Sequence, residues 1–125
     1  MLRPPRGRDF LVAVLVAACN ALGFAHARLV RSSPQDGAVL PASPPVIRAW
    51  FNEELDPSRS RIEVLDPQGR RIAWGGVDLE DLDRRILVVR VRRLRPGTYT
   101  VRWTAVSADD GYVVRGRFRF TVRLP

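Results

Sequence analysis

From residue 29 onward, turn signals divide this sequence into short segments in which apolar and polar side chains alternate. Asp66-Pro67-Gln68-Gly69 is a clear turn, because proline presets φ at one position and glycine accepts the left-handed conformation that other residues resist. Residues 61–65 alternate charged with aliphatic side chains, as a strand does when one of its faces is exposed to solvent and the other is buried. No segment has a convincing helical period. The sequence therefore predicts an all-β fold.

Seven of these segments are predicted to form strands. The first opens at Leu29, and the others cover residues 46–51, 61–65, 70–74, 86–91, 99–103 and 117–123. Short strands at this spacing, all joined by turns, are typical of an antiparallel β-sandwich of the immunoglobulin-like type. A chain of 125 residues is long enough for one such domain and too short for two.

Simple alternation of strand direction predicts which loops share an end of the sandwich. If the seven strands run up and down in turn, the N-terminal end of the first strand lies with residues 52–56, 78–83 and 108–113. These three connections are rich in carboxylates. We therefore expect His26, which immediately precedes the first strand, to lie among acidic side chains.

Residues 1–25 have the pattern of an export signal. Arg3, Arg6 and Arg8 form a basic start, and residues 10–18 form an apolar run that is short for a membrane span. In the segment 23–25, glycine and alanine supply the small side chains that a signal peptidase reads. We predict a signal peptide over residues 1–25 and a mature domain over residues 26–125.

Cleavage after Ala25 would make His26 the first residue of the mature protein, with a free α-amine beside its imidazole ring. An amine and an imidazole on one residue form a ready-made metal chelate. The alternative is a lipoprotein signal, because residues 16–19 resemble a lipoprotein cleavage box in which Cys19 is acylated. His26 would then lie in mid-chain and the chelate would be lost, although both cuts imply export.

Arginine accounts for all 21 basic residues, and the formal net charge is +8. Such a charge raises the question of nucleic-acid binding. The basic residues are spread along the chain rather than massed in one block, and the arginines of the last predicted strand share one face. We interpret these arginines as a solvated surface and predict no nucleic-acid partner.

Four segments carry the motifs of one known family. They are His-Ala-x-Leu-Val-x-Ser-x-Pro-x-x-Gly at residues 26–37, Phe-x-Glu at 51–53, Leu-x-Pro-Gly-Thr-Tyr-x-Val-x-Trp-x-x-Val-Ser-Ala-Asp-Asp-Gly-Tyr at 94–112, and Gly-x-Phe-x-Phe-x-Val at 116–122. Together they resemble the CopC copper-resistance proteins over nearly the whole mature chain. The resemblance implies a periplasmic copper carrier with a CopC-like β-sandwich and a CopD-like inner-membrane protein as its partner.

The resemblance also implies a set of metal ligands. In the CopC family, Cu(II) is held by the N-terminal histidine, through its amine and imidazole, and by an Asp-x-His pair in a late loop. Carried over to this sequence, His26 matches the first ligand, Asp110 matches the aspartate and Asp109 is its neighbouring substitute. Glu53 matches a family glutamate near the site. Position 112 departs from the pattern, because it is Tyr112 where the family has histidine.

Tyr112 is expected to weaken the site. A phenol is a poorer Cu(II) ligand than an imidazole at neutral pH, because it ionises only in alkaline solution. We predict one Cu(II) site of reduced affinity, made by the amine and imidazole of His26, one Asp110 oxygen, and water, Tyr112 or Glu53 in the remaining place. The only methionine is Met1, which leaves with the leader, so a methionine site for Cu(I) is not expected.

The sequence gives no support for catalysis. The mature chain has no second histidine to pair with a nucleophile, no cysteine and no glycine-rich phosphate loop. We therefore predict that the protein is not an enzyme. The alternative to a copper carrier is a metal-free CopC-like interaction module that has lost its copper site at Tyr112. Import, efflux and storage of copper all remain open at this point, as does the oligomeric state.

Overall fold

The computed structural model describes residues 26–125, so the predicted signal peptide, its cleavage site and the acylation of Cys19 lie outside the described residues. The described part contains eight strands: β1 (Leu29–Ser33), β2 (Ala38–Leu40), β3 (Val46–Phe51), β4 (Arg61–Leu65), β5 (Arg71–Val77), β6 (Ile86–Arg90), β7 (Gly97–Val106) and β8 (Val113–Val122). Within residues 26–125, no helix has the length and apolar character needed to cross a membrane. The predicted all-β fold is confirmed.

The strand that the sequence analysis does not predict is β2, which continues the course of β1 on the opposite edge of the sheet. β1 pairs antiparallel with β3, whereas β2 pairs parallel with the end of β8. Between them the chain crosses from one edge to the other, where the Gly37 N–H donates to the Arg119 carbonyl at 2.7 Å and the Arg119 N–H donates to Asp36 Oδ1 at 3.0 Å. β2 has only three residues, between Gly37 and Pro41, too few for an alternating pattern to be recognised.

The eight strands form one sheet in the order β1-β3-β6-β5-β4-β7-β8-β2, which curls into two facing layers. β5 joins the layers, because most of it pairs with β4 while its last residues, Gly76 and Val77, pair with β6. Glycine is required at position 75, where a Cβ would lie 2.0 Å from the Val88 carbonyl oxygen. The predicted immunoglobulin-like sandwich is thus confirmed as a curled, two-layered sheet.

Alternation along the strands directs one side of each layer into a common core. In β7 and β8 the buried side chains recur at every second position, as in Tyr99 on one strand and Phe118 and Phe120 on the other. Phe51 of β3 meets Trp103 of β7 edge to face, with ring centroids 5.0 Å apart. This contact joins the two layers, and the burial of several aromatic rings supplies much of the apolar area that stabilises a domain of this size.

The strand directions bring the N-terminal segment and three connections to one end of the sandwich. β1 starts beside the end of β3, since Leu29 lies opposite Phe51. Antiparallel pairing of the following strands then puts residues 52–60, 78–85 and 107–112 at the same end. The grouping predicted from alternation is confirmed. We call this part of the molecule the loop end.

Candidate metal site

Asn52 fixes the start of the described chain at the loop end. The Arg28 N–H donates to Asn52 Oδ1 at 2.6 Å, and the Asn52 N–H donates to the Arg28 carbonyl at 3.1 Å. Ala27 is buried in the core cluster. The two residues after His26 are thus held in place, one by its buried side chain and the other by two hydrogen bonds. His26 is therefore anchored where it meets the connection between β7 and β8.

That connection is a tight turn organised by Ser107, whose side chain is buried. Ser107 Oγ accepts hydrogen bonds from the N–H groups of Asp109 at 3.2 Å and Asp110 at 3.5 Å. The Ser107 carbonyl accepts from the Gly111 N–H at 2.9 Å, and the Ser107 N–H donates to the Tyr112 carbonyl at 3.1 Å. Gly111 has a φ of 73°, which glycine adopts without strain. These bonds fix the backbone from which Asp110 and Tyr112 project.

His26, Asp110 and Tyr112 meet at the loop end. His26 Nδ1 lies 3.6 Å from Asp110 Oδ2, while the other carboxylate oxygen, Oδ1, accepts the Tyr112 N–H at 2.9 Å. The distance of 3.6 Å exceeds that of a hydrogen bond, and Nδ1 is a buried atom without a hydrogen-bond partner among the described residues. The imidazole therefore turns its Nδ1 toward a carboxylate oxygen that does not satisfy it.

Tyr112 stacks on the His26 ring instead of facing its nitrogen atoms. The ring centroids are 3.6 Å apart and the planes are inclined by 26°. An imidazole nitrogen accepts a ligand or a proton through a lone pair that lies in the plane of the ring. The tyrosine ring, stacked above that plane, restricts the orientation of the imidazole. It does not block the in-plane lone pair of Nδ1, which faces Asp110.

Glu53 and Asp109 lie elsewhere at the loop end. Together with Glu54 and Ala108 they line an open pocket of about 320 Å³, and Glu53 Oε1 is buried without a hydrogen-bond partner among residues 26–125. Across the part of the chain that the structure describes, no group of three or more His, Cys, Asp or Glu side chains is close enough to hold a metal ion. Of the five residues predicted for the site, the structure brings three into mutual contact.

The surroundings of His26 are strongly acidic, as predicted. The three connections of the loop end contain nine carboxylates and three arginines. The carboxylates are Glu53, Glu54, Asp56, Asp78, Glu80, Asp81, Asp83, Asp109 and Asp110. Hydrogen bonds to Asp56 from the Ser58 hydroxyl at 2.8 Å and the Ser58 N–H at 2.9 Å lower the pKa of Asp56. A concentration of negative charge of this kind attracts cations from solution.

Two further residues position this site and are not predicted to do so from the sequence, Asn52 and Ser107. Each acts through hydrogen bonds between its side chain and a nearby backbone, for which serine and asparagine are well suited. A signal for Ser107 is present, since a serine followed by Asp-Asp-Gly is typical of a turn. Asn52 gives a weaker signal, because its partner Arg28 is 24 positions away in the sequence.

Comparisons with known proteins agree with this architecture. A family model described as the CopC domain matches residues 29–123. Copper resistance protein C of Xanthomonas campestris pv. juglandis is 32% identical over 120 residues, which cover 90% of this chain and 92% of that protein. Copper transport protein CutJ of Bacillus subtilis is 31% identical over 100 residues, but these are 79% of this chain and 18% of CutJ.

A solved structure shows the same likeness in three dimensions. The crystal structure of CopC from Methylosinus trichosporium OB3b superimposes with a TM-score of 0.73 at 30% sequence identity, covering 79% of this chain and 95% of that chain. The family model spans the domain from the first residue of β1 to the residue after β8. The chain therefore belongs to the CopC family.

Proposed function

We propose that the protein binds one Cu(II) ion through His26 and Asp110 and carries copper, as its cargo, in the periplasm. Membership of the CopC family supports a function that involves copper. The relatives named for copper resistance and copper transport support carriage or homeostasis of the metal in particular. Catalysis is not part of the proposal, and the prediction that the protein is not an enzyme stays a prediction.

The observation that carries the proposal is the orientation of His26. Its buried Nδ1 has no hydrogen-bond partner among the described residues and lies 3.6 Å from Asp110 Oδ2. An unsatisfied buried nitrogen is costly unless something binds it. The two atoms are too far apart for a hydrogen bond and near enough to share one ion, and nitrogen and oxygen donors together suit Cu(II).

The α-amine of His26 is the third donor in this proposal, and it depends on cleavage after Ala25. A signal peptide over residues 1–25 supplies that cut, whereas acylation of Cys19 removes the amine from the site. Water completes the set, because the stacking of Tyr112 on the imidazole favours a supporting ring over a phenolate ligand. One imidazole in place of two accounts for the reduced affinity that we expect.

A Cu(II) titration of the exported protein tests this assignment, with the mature N-terminus identified by mass spectrometry on the same sample. We expect the parent to bind one equivalent of Cu(II) and His26→Ala to lose the site. Asp110→Asn should lower the affinity at least about tenfold, because removal of even an outer-shell partner of a metal ligand lowers metal affinity by that much. Asp109→Asn is the matched control. It removes the same charge one residue away, in the pocket lined by Glu53, and should bind copper like the parent.

The alternative function, a metal-free interaction module, is favoured by Tyr112 and by the absence of a cluster of three or more acidic, histidine or cysteine side chains within residues 26–125. The same titration decides between the two functions. Equal and weak copper uptake by the parent and His26→Ala would refute the copper carrier and support the module. An acylated Cys19 would refute the amine ligand but not the export.

The membrane partner of a CopC-like carrier is a further part of this proposal. The resemblance to the family suggests a CopD-like inner-membrane protein that receives copper from the loop end. Co-purification from membranes with the parent, but not with a variant altered in residues 107–112, would support delivery through that loop.

A further inference from the structure

The outer face of the layer formed by β4, β7 and β8 is covered with arginine. Paired residues in neighbouring antiparallel strands point to the same side, and the register sets Arg102 opposite Arg117 and Thr104 between Arg61 and Arg115. Arg119 and, across the bulge in β5, Arg71 extend the same face. We call this surface the arginine face: Arg61, Arg71, Arg102, Arg115, Arg117 and Arg119, all exposed.

Among the described residues, Glu63 is the carboxylate that forms ion pairs with the arginine face, and two of the arginines share it. Glu63 accepts a hydrogen bond from Arg102 Nε at 2.9 Å and forms an ion pair with Arg71 at 3.8 Å. The other four arginines have no ion-pair partner within residues 26–125. Like charges directly opposite each other, as in Arg102 and Arg117, destabilise a sheet. The face therefore has excess positive charge that the domain itself does not neutralise.

An exposed tryptophan borders the arginine face. Trp74 on β5 lies opposite Glu63 and is 68% exposed. The Arg71 guanidinium lies 4.8 Å from the centre of its ring. Tryptophan is favoured in the headgroup region of a bilayer, because its ring is apolar at one end and polar at the other.

We propose that the arginine face docks the protein on an anionic phospholipid surface, with Trp74 in the headgroup layer. The charge complementarity is direct, since guanidinium groups bind phosphate oxygens with two parallel hydrogen bonds. The centre of the face consists of arginine and threonine side chains, so it lacks the apolar patch that forms the centre of an interface with a folded protein, even though arginine is itself common in such interfaces. A charged, sheet-wide surface with a tryptophan at its border fits a layer of phosphate groups better than it fits a folded partner.

The arrangement also orients the molecule. The nine carboxylates of the loop end lie at the end of the strands and not on the arginine face. Docking through that face places the strands along the membrane surface and leaves the loop end at the edge of the contact. This inference stands independently of copper binding, because none of its residues contributes to the site at His26.

Vesicle co-sedimentation of the exported protein tests the proposal, using phosphatidylcholine vesicles with and without phosphatidylglycerol. We expect binding that requires phosphatidylglycerol and weakens as salt is raised. A triple variant, Arg115→Gln with Arg117→Gln and Arg119→Gln, should lower the partition coefficient about 100-fold. Each basic residue near an anionic surface contributes about fivefold, and the three contributions multiply. Binding should also shift the tryptophan fluorescence of the parent to the blue, and Trp74→Phe should lack that shift.

The matched control removes the same charge at the end of the sandwich opposite the loop end, through Arg92→Gln, Arg93→Gln and Arg95→Gln, three exposed positions between β6 and β7 that are not part of the arginine face. It should bind vesicles within a few-fold of the parent. The single variant Arg117→Gln relieves repulsion from Arg102 and so keeps the fold, and we expect it to lower partitioning about fivefold. The proposal would be overturned by equal losses of binding in the two triple variants or by binding that does not depend on phosphatidylglycerol. It would also be overturned if the protein bound soluble polyglutamate in place of vesicles.

Discussion

The loop end and the arginine face carry opposite charge, and they hold it in different ways. At the loop end, Asp56, Asp78, Asp81 and Asp110 each accept the N–H group two residues further along the chain, so these carboxylates also build the turns. On the arginine face, four guanidinium groups have no ion-pair partner among the described residues. The negative charge of the loop end is therefore partly structural, whereas most of the positive charge of the arginine face is not paired within residues 26–125.

The largest effect is expected where β8 lies against β7 beneath the arginine face. A Cβ at Gly116 would lie 2.2 Å from the Trp103 ring, so Gly116→Ala forces the two strands or the ring to shift and should cost about 3 kcal/mol. Urea unfolding measures this cost. Gly76→Ala is the control, because its Cβ would meet its nearest atom at 3.6 Å, and it should cost less than about 1 kcal/mol. A cost for Gly116→Ala as small as that of the control would show that the strands or the Trp103 ring can shift to make room for the methyl group.

The next effect concerns the aromatic ring at the loop end. Tyr112→His should raise the Cu(II) affinity by at least about tenfold, because it restores an imidazole beside Asp110. Tyr112→Phe should leave the affinity unchanged, since it keeps the stacked ring and removes only the hydroxyl. Competition titration against a chelator of known affinity measures both. A loss of binding in Tyr112→Phe would identify the phenol oxygen as a ligand.

A smaller effect tests whether the loop end depends on its turn. Ser107→Ala removes the buried hydroxyl that accepts the N–H groups of Asp109 and Asp110, and should cost about 1–2 kcal/mol of stability. It should also weaken Cu(II) binding, by releasing the backbone that aims Asp110. Thermal unfolding and the copper titration report the two losses. Full copper affinity in this variant would contradict the positioning role of Ser107.

The smallest effect is on a single carboxylate. Hydrogen bonds from Ser58 lower the pKa of Asp56, so their contribution to stability is present above the ordinary pKa of an aspartate and is lost as the pH falls through the lowered value. Ser58→Ala should return the pKa of Asp56 toward its ordinary value. An NMR titration of the side-chain carboxyl carbon measures the change. An unchanged pKa would mean that the backbone N–H of residue 58 or nearby Arg59, both of which the substitution leaves in place, is the dominant cause.

Features that neighbouring residues determine could be predicted from the sequence. The turn at Asp66–Gly69, the alternation in β4 and the grouping of acidic connections with His26 all follow from local patterns and strand direction. The partnership of His26 with Asp110 came from resemblance to a family, because no local pattern joins residues so far apart. The stacking of Tyr112 on His26 depends on side-chain directions in a folded turn, which no periodicity encodes.

The arginine face shows where prediction from sequence fails. The arginines of β8 share one side, and this pattern alone is typical of a solvated strand. Arg61 and Arg102 join them only when β4 and β7 pair in the observed register, and Glu63 is then set among them. The density of charge is therefore a property of the sheet and not of any one segment.

The crossing between β1 and β2 has a consequence for the order in which the protein folds. β2 pairs with the end of β8, and Asp36 bonds to a residue 83 positions later. During synthesis, which runs from the N-terminus to the C-terminus, this edge has no partner until almost the whole domain has been made. Pairing of β2 with β8 is thus a late, long-range event of the kind that slows folding, and this edge of the sheet closes only when the last strand is complete.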